Sequence, residues 1–366
     1  MSEKESLFLA LIRAGIDGEV KEEFPALTEV QTAGLLQLAM EQTMVGITMD
    51  GLQKLMPSGI GNNSQIIRWY GLTEMIAGMN DHTNNVAGDI YAKLAGAGFR
   101  PVMVKGQVVA QEYPNPLRRV PGDVDLYFEP SEGRKAVATM EEWGYCIKEE
   151  MARDISFDCD GVTVEIHPYI AHSLFDMKDE YAERFQKWCE EEMTQHCRTM
   201  KMGNKNVEVR IPSVMMTIIY EFYHMWAHFV RGGIGLRQVC DWRMCLHNYY
   251  GQYDVKELHS KLEYFGLMRP WSGFSGILVD YLGLPAEEMP FYKQSSKTER
   301  ILNLIFDEGN FGKNHQHKPL PTATIPRICA KTNETLARYW KVGRLFPRDF
   351  MHFLPGPGAL KRYLPI

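Results

Sequence analysis

Apolar side chains recur at near-helical spacing through the first hundred residues, which predicts a helical region from residue 1 to 98. Thr28 can cap the first clear segment, which runs on to about Met44. A second segment covers Leu52–Met56. A third, much longer one covers about Asn63–Ala97 and is followed by a glycine.

After residue 98 the pattern changes to short apolar runs separated by turn residues, which is typical of a sheet. The predicted strands are, in order, Arg100–Val104, Val124–Phe128, Tyr145–Lys148, Ile155–Cys159 and Val162–His167. The last two flank Asp160-Gly161, a strong signal for a two-residue hairpin turn. A short helical turn is predicted after Gly106, and Ser131 can cap a helix that ends near Trp143. Residues 99–170 therefore form an α/β part with a mixed sheet.

From about residue 171 the helical pattern returns and continues for most of the chain. The predicted helices are Phe175–Thr194, Pro212–Arg231, Ile234–Tyr250, a stretch within Val255–Leu282, and Thr332–Val342, with a brief extended piece at Val207–Ile211. Gly309–Pro326 is predicted to be an exposed loop, and the chain closes with a Pro/Gly-rich tail. The predicted class is α+β, with domains at 1–98, 99–170 and 171–366.

Composition narrows the classes of function. The formal net charge of −6 over 366 residues gives no global attraction for nucleic acid, and no broad basic channel is evident. No apolar run approaches 18 residues, so we expect no membrane span, and the N-terminus lacks the features of a signal peptide. Seven cysteines without a CxxC pair favour reduced thiols and a cytoplasmic location.

Two carboxylates two positions apart are the strongest chemical signal. Side chains alternate across a strand, so Asp123 and Asp125 point the same way, opposite the apolar Val124 and Leu126. Such a pair is often only a solvated strand edge. A third acid, Glu165, occupies the polar face of the predicted hairpin together with His167. Three carboxylates on two strands could hold one or two Mg²⁺ ions, with Glu165 as ligand or base.

Candidate phosphate-binding groups lie just before the acids. Gly106 permits close approach of a phosphate to the backbone, and Lys105 supplies a point charge, although a Lys-Gly turn is more often structural. Arg119 offers a planar fork for phosphate oxygens, and Arg118 is an equal candidate. His167 is either a partner of Glu165 or a polar residue at the end of a strand.

A further polar group is predicted on a later helix. Glu221, His224 and His228 share one helical face, which is expected to be a polar face that borders the cleft rather than a metal site. Asp241 is expected to cap or form a salt bridge within the helical part, or to face the cleft with Arg237.

These motifs resemble the uncharacterised nucleotidyltransferase family of the DNA polymerase beta-like superfamily. The resemblance covers about residues 25 to 250 and follows the order Lys105-Gly106, Tyr113-Pro114-Asn115-Pro116, Arg119, Asp123-Val124-Asp125-Leu126, Val164-Glu165-Ile166-His167 and Leu236-Arg237 with Asp241. It implies a minimal nucleotidyltransferase sheet flanked by helical regions, with Mg²⁺ on Asp123, Asp125 and Glu165. Most of the superfamily has Gly-Ser where this chain has Lys105-Gly106, so the mode of phosphate binding is expected to differ.

The predicted function is a Mg²⁺-dependent nucleotidyltransferase that moves NMP from an NTP to a hydroxyl of a small-molecule or protein acceptor. Asp123, Asp125 and Glu165 are the predicted catalytic and metal-binding residues, and Lys105, Gly106, Arg119 and His167 are predicted to bind the nucleotide. One alternative is a non-catalytic nucleotide-binding protein on the same fold. Another is a phosphohydrolase that uses the same acids with water as the acceptor.

Overall fold

A mixed sheet lies between two helical stretches of the chain in the computed structural model, which describes residues 1–17, 24–56, 63–151, 154–171, 180–310 and 336–349. The helices are α1 (Glu3–Ile16), α2 (Glu29–Glu41), α3 (Val45–Leu55), α4 (Ser64–Gly96), α5 (Gly106–Ala110), α6 (Pro130–Glu142), α7 (Glu180–Gln195), α8 (Val214–Arg231), α9 (Leu236–Asn248), α10 (Val255–Tyr264), α11 (Met268–Gly276) and α12 (Thr298–Glu308), and residues 336–345 are also helical. The strands are β1 (Val102–Val104), β2 (Val124–Tyr127), β3 (Lys148–Met151), β4 (Asp154–Cys159), β5 (Val162–His167), β6 (Arg198–Met202) and β7 (Val207–Ile211). The α+β class predicted from the sequence is confirmed.

The main sheet has five strands in the order β1-β2-β5-β4-β3. In this sheet β2 and β5 run parallel, and the other three neighbouring pairs are antiparallel. The predicted hairpin of β4 and β5 forms, with its turn at Asp160-Gly161. Strands β6 and β7 form a separate antiparallel ribbon.

Side-chain alternation assigns the two faces of the sheet to different surroundings. Val124, Leu126 and Phe128 pack in a core with residues of α4 and α6 such as Leu94 and Met140. Tyr127, which alternates with them, lies in the larger helical core. Burial of each large apolar side chain contributes about 1.5–3 kcal/mol, so this strand cannot be turned over without a large loss. The polar side chains of β2 and β5 therefore face the C-terminal helices.

Local sequence signals account for several helix ends. The Thr28 hydroxyl accepts from the Gln31 amide while the Gln31 side chain accepts from the Thr28 amide, so the predicted helix start is confirmed as a capping box. Asn63 caps α4 through the Gln65 amide. The predicted cap at Ser131 is wrong, because α6 begins at Pro130, and proline suits the first turn of a helix.

Two strand predictions differ from the structure. The strand predicted at Tyr145–Lys148 starts only at Lys148, because the Tyr145 amide still donates to the Met140 carbonyl (3.0 Å) and closes the end of α6. Strand β6 was not predicted, since Arg198–Met202 has two charged residues and no strict alternation; it forms by pairing with the predicted β7.

Parts of some predictions fall outside the described residues: the start of the helix predicted at Phe175, the loop predicted at Gly309–Pro326 beyond residue 310, and the Pro/Gly-rich tail.

Within the residues that the structure does describe, none of the helices combines the length and apolarity needed to cross a membrane. The six described cysteines form no disulfide with one another.

Helices α1 and α3 cross at two glycines. A Cβ placed on Gly51 would lie 1.9 Å from the Leu11 carbonyl oxygen, and one placed on Gly15 would lie 2.1 Å from the Ile47 carbonyl oxygen. These distances are far below van der Waals contact, so the backbones touch directly. The crossing therefore depends on the absence of a side chain at both positions.

We predict that Gly51→Ala lowers the free energy of unfolding by about 1–3 kcal/mol or more, because the new methyl group must push the two helices apart. Gly71→Ala is the matched control: Gly71 is exposed in the interior of α4 and has no atom near its Cβ position, so the same change should stabilise by up to about 1 kcal/mol. Urea denaturation of the two variants measures both effects. Equal stabilities would contradict the described crossing.

Candidate active site

The register of the parallel strand pair brings the predicted acids together. Asp125 on β2 lies directly opposite Glu165 on β5, and Tyr127 lies opposite His167. Asp123 lies immediately before β2 and lines the same cavity as Asp125 and Glu165. Asp125 is buried, at 3% exposure, whereas Glu165 and Asp123 are partly exposed. The sequence prediction that these three carboxylates share one site is consistent with this arrangement.

Two cationic or protonatable groups approach the buried Asp125. Lys105 Nζ lies 2.7 Å and His167 Nε2 lies 2.6 Å from the same oxygen, Asp125 Oδ1. His167 Nε2 also lies 3.3 Å from Glu165 Oε2, so it is a partner of both acids. Lys105 has a φ of +54° between β1 and α5, a conformation that side-chain-bearing residues rarely adopt. The site is thus held together by ion pairs around one buried oxygen.

The electrostatics follow from this crowding. Burial raises the pKa of Asp125, but Lys105 and His167 outweigh it and lower that pKa to about 2. The negative charge of Asp125, then burial and Glu165, raise the pKa of Asp123 to about 7 against the opposing effect of Lys105. Burial and Lys105 lower the pKa of His167, yet its bonds to Asp125 and Glu165 raise it overall. Without a further cation, the three acids do not all ionise easily at neutral pH.

The donor set fits a divalent cation. One ligand atom each from Asp125, Glu165 and His167 lie within 4.8 Å of one another, which is the spacing of side chains around a single ion. This compact group contains His167, whose role the sequence left open, and not Asp123, which borders it. Carboxylates suit Mg²⁺ and Mn²⁺, and an imidazole is tolerated better by Mn²⁺.

A cavity of about 510 Å³ separates the acids from α8 and α9. The predicted polar face of α8 borders it through Glu221, His224 and His228. His224 Nε2 lies 3.5 Å from Lys105 Nζ and 2.9 Å from His228 Nε2. Burial, then Lys105 and Arg231, lower the pKa of His228 to about 4, so this imidazole is neutral at physiological pH.

The structure separates the two neighbouring arginines that the sequence could not distinguish. Arg118 turns away to Asp50 (3.1 Å) and Glu74 (2.9 Å) on α3 and α4. Arg119 lines the cavity and forms a bidentate salt bridge with Asp241, in which the Nε–Oδ1 and Nη2–Oδ2 distances are both 2.8 Å. Asp241 thus forms its salt bridge with the loop before β2 rather than within the helical part.

Sequence reasoning missed some residues of the cavity wall. Arg231 lies on α8 at the 3-4-3 spacing that continues from Glu221 through His224 and His228, and this spacing was the available signal. Tyr220 also lines the cavity, but nothing in its sequence surroundings distinguishes it from the core tyrosines around it.

Comparison with known proteins assigns the class. A family model described as "Uncharacterised nucleotidyltransferase" matches residues 28–278, well over half of the chain. The protein belongs to this family. A solved structure, the antigenic nucleotidyltransferase-like protein from Paracoccidioides brasiliensis, is 12% identical with a TM-score of 0.34, over 56% of this chain and 93% of that chain. A search of curated proteins found no match.

We predict that Asp241→Ala lowers the free energy of unfolding by about 3–5 kcal/mol, because it leaves the buried Arg119 guanidinium unpaired and removes the acceptor of the Tyr113 hydroxyl (2.8 Å). Asp89→Ala is the control, since it breaks an exposed salt bridge to Lys205 and should cost less than about 1 kcal/mol. Chemical denaturation compares them, and equal losses would refute the structural role of the Arg119–Asp241 pair.

A pH-dependent effect is expected at Glu221. Burial and then Asp241 raise its pKa to about 8, against Arg119 and Lys105, which lower it. The folded state therefore keeps a proton that the unfolded chain releases above its ordinary pKa of 4.5, so this group's contribution to stability falls as pH rises from about 4.5 to about 8. As pH rises from 5 to 9, the free energy of unfolding of Glu221→Gln should increase by about 1–3 kcal/mol relative to that of wild type. Thermal melts of both proteins across this pH range measure the effect. If the difference in stability between Glu221→Gln and wild type did not change with pH, Glu221 would not be buried in its protonated form.

Proposed function

We propose that this protein is a Mg²⁺-dependent nucleotidyltransferase that moves NMP from an NTP to a hydroxyl of a small-molecule or protein acceptor. The observation that carries the proposal is the pairing of Asp125 with Glu165 on adjacent parallel strands, next to Asp123 and His167, at one end of a cavity. Membership of a nucleotidyltransferase family supports the same chemistry. In that chemistry the acceptor oxygen bonds to the α-phosphorus, the bond from that phosphorus to the bridging oxygen breaks, and pyrophosphate leaves.

Asp123, Asp125 and Glu165 would hold the metal, with His167 within reach of the same position. Bound Mg²⁺ would neutralise phosphate charge and make the acceptor hydroxyl easier to deprotonate. The hydrogen bond from His167 lowers the pKa of Glu165, so this carboxylate is ionised at neutral pH. Glu165 is also more exposed to the cavity than Asp125, and it would orient the acceptor hydroxyl and receive its proton.

The nucleotide side of the proposal involves the residues that surround the acids. Lys105 and Gly106 border the cavity between β1 and α5, where they would contact phosphate oxygens. Arg119 reaches the same cavity, but two of its donors are taken by Asp241, so it would act mainly by fixing that wall. His167 contacts both Asp125 and Glu165, so it would hold these two acids in position around the metal of the bound nucleotide.

Size and charge limit the acceptor. A cavity of about 510 Å³ is in the range of small-molecule sites, about 300–1,000 Å³. The net charge of −6 disfavours a long polynucleotide, whose binding needs many cationic contacts. A small molecule or a protruding hydroxyl side chain fits both properties.

We also propose a cytoplasmic location, which the unpaired state of the described cysteines supports.

A second candidate is a non-catalytic nucleotide-binding protein on the same fold. One observation favours it: the Lys105 ammonium already neutralises Asp125 at 2.7 Å, a position from which a fixed charge could replace a metal ion. This protein would bind NTP in the presence of EDTA and release no pyrophosphate. The enzyme would need the divalent cation for turnover.

We predict that wild type, incubated with α-³²P-labelled NTPs, Mg²⁺ and a panel of hydroxyl acceptors, forms a labelled product and pyrophosphate. Asp123→Asn and Asp125→Asn should lower this rate at least about a hundredfold, since losing groups that only support a metal ligand already costs about 10–100-fold. Asp89→Asn, at an exposed site on α4, is the control.

Equal nucleotide binding by wild type and both site variants, with no dependence on Mg²⁺, would overturn the assignment of the active site. Pyrophosphate release without a labelled acceptor would instead indicate hydrolysis.

A further inference from the structure

A second, smaller cavity adjoins the residue that begins the acid cluster. It has a volume of about 420 Å³ and lies between α4, the loop before β2 and the β4–β5 turn. Its walls are Met79 and Thr83, residues 121–123 and residues 161–163. Gly122 and Asp123 also line the larger cavity described above, so a ligand in each cavity would contact the same short segment. A transfer reaction needs such an arrangement, because its two substrates must be held next to each other.

Hydrogen bonds tie the walls of the smaller cavity to one another. His82 on α4 donates from Nε2 to the Asp160 main-chain carbonyl (2.8 Å), which holds the β4–β5 turn against the helix. Asn80 is fully buried and donates to the main-chain carbonyls of Leu117 (2.9 Å) and Arg119, which holds the loop before β2 against the same helix. The smaller cavity is therefore a preformed part of the fold, as binding sites for small molecules usually are.

The smaller cavity includes a residue that shares a strand face with the proposed base. Side chains alternate along a strand, so Thr163 and Glu165 of β5 project to the same side, with their Cα atoms about 6–7 Å apart. Asp123 and Thr163 directly precede Val124 and Val164, which are paired across the parallel strands. A small molecule bound beside Thr163 would therefore bring its own groups close to Glu165.

Thr83 gives the smaller cavity a polar group without a partner. The residue is only 5% exposed, and its hydroxyl makes no hydrogen bond within the described part of the chain. The buried Thr48 and Thr217 differ, since their hydroxyls donate to the carbonyl one helical turn earlier. A buried hydroxyl that lacks a partner costs free energy, so this position favours a ligand that can form a hydrogen bond with it.

The lining of the smaller cavity favours an uncharged ligand. Among the described residues that line it, Asp123 is the one with an ionisable side chain, and under the proposed function that carboxylate holds the metal. A phosphate or carboxylate group would meet no cation there, and an ammonium group would compete with the metal for Asp123. The hydroxyls of Thr83 and Thr163 instead suit hydroxyl groups, since each can both donate and accept. The volume of about 420 Å³ falls within the range of small-molecule sites, about 300–1,000 Å³.

We propose that the smaller cavity is the acceptor subsite and that the acceptor is an uncharged molecule with several hydroxyl groups, such as a sugar or a polyol. This inference rests on the proposed function, which assigns Mg-NTP to the larger cavity. One hydroxyl of the acceptor bonds to Thr83. Another gives its proton to Glu165, and its oxygen bonds to the α-phosphorus as the bond to the leaving pyrophosphate breaks.

The test is saturation-transfer NMR on the full chain in Mg²⁺, with glucose, myo-inositol and glycerol as the probes. Wild type should bind at least one of them. A saturating non-hydrolysable ATP analogue should not displace the bound polyol, because the two ligands occupy different cavities. Gluconate and glucosamine, which are charged relatives of glucose, should bind at least about tenfold more weakly than glucose does.

Variants of the cavity wall locate the binding. Thr83→Val should weaken polyol binding by about 2–10-fold, the range for losing a hydrogen bond between neutral groups. Thr163→Trp should abolish it, because the indole fills the cavity from an exposed position on β5. Thr199→Val and Thr199→Trp, the same changes at an exposed position on β6, are the matched controls and should bind like wild type. In the transfer assay, Thr83→Val should raise KM for the polyol and leave KM for Mg-ATP unchanged.

The inference is overturned if wild type binds none of the three polyols, if the ATP analogue displaces the bound polyol, if a charged relative binds more tightly, or if both cavity variants bind like the Thr199 controls. Circular dichroism checks folding, and Thr83→Val, which keeps the shape of the side chain, decides the test if Thr163→Trp does not fold. Wild type that binds a polyol as described but transfers no NMP would refute the proposed function and leave the subsite standing. Transfer of NMP to a polyol at a rate that neither variant changes would do the reverse.

Discussion

Two carboxylates on adjacent parallel strands, Asp125 and Glu165, repel each other at a point where Asp125 has lost most of its water. The fold cannot relieve this repulsion by moving the strands, because the residues between them fill a core on the opposite face. Nearby cationic and protonatable groups must therefore balance the charge. Lys105 and His167 do so here, both through one oxygen of Asp125.

This constraint explains how the cavity is arranged. The acids need positive charge near them, and the guanidinium groups of Arg119, Arg231 and Arg237 line the same cavity. The Arg119–Asp241 pair joins the loop before β2 to α9 and so fixes one wall of the cavity. A ligand that brings both a divalent cation and phosphates would complement the carboxylates and the guanidinium groups of this cavity together. Mg-NTP has this property, which is why the proposed chemistry accounts for more of the cavity than the acids alone.

The acid cluster could be predicted because strand alternation is local: Asp123, Asp125 and Glu165 follow from a period of two and a hairpin turn. The parallel pairing that sets Asp125 against Glu165 is not local. Likewise, Arg119 and Asp241 are 122 positions apart, so no spacing rule could join them. Strand β6 was missed because its partner, rather than its own pattern, makes it a strand. Arg231 was detectable only as the continuation of a helical stripe.

The central claim is that the acids of β2 and β5 bind a divalent cation. Titration of Mn²⁺ followed by electron paramagnetic resonance tests it directly, without any nucleotide or acceptor. We predict that wild type binds one or two Mn²⁺ ions, that Mg²⁺ displaces them, and that Asp125→Asn abolishes the binding. The account would be contradicted if wild type left all Mn²⁺ free at millimolar concentration, or if Asp125→Asn bound the same number of ions with the same affinity.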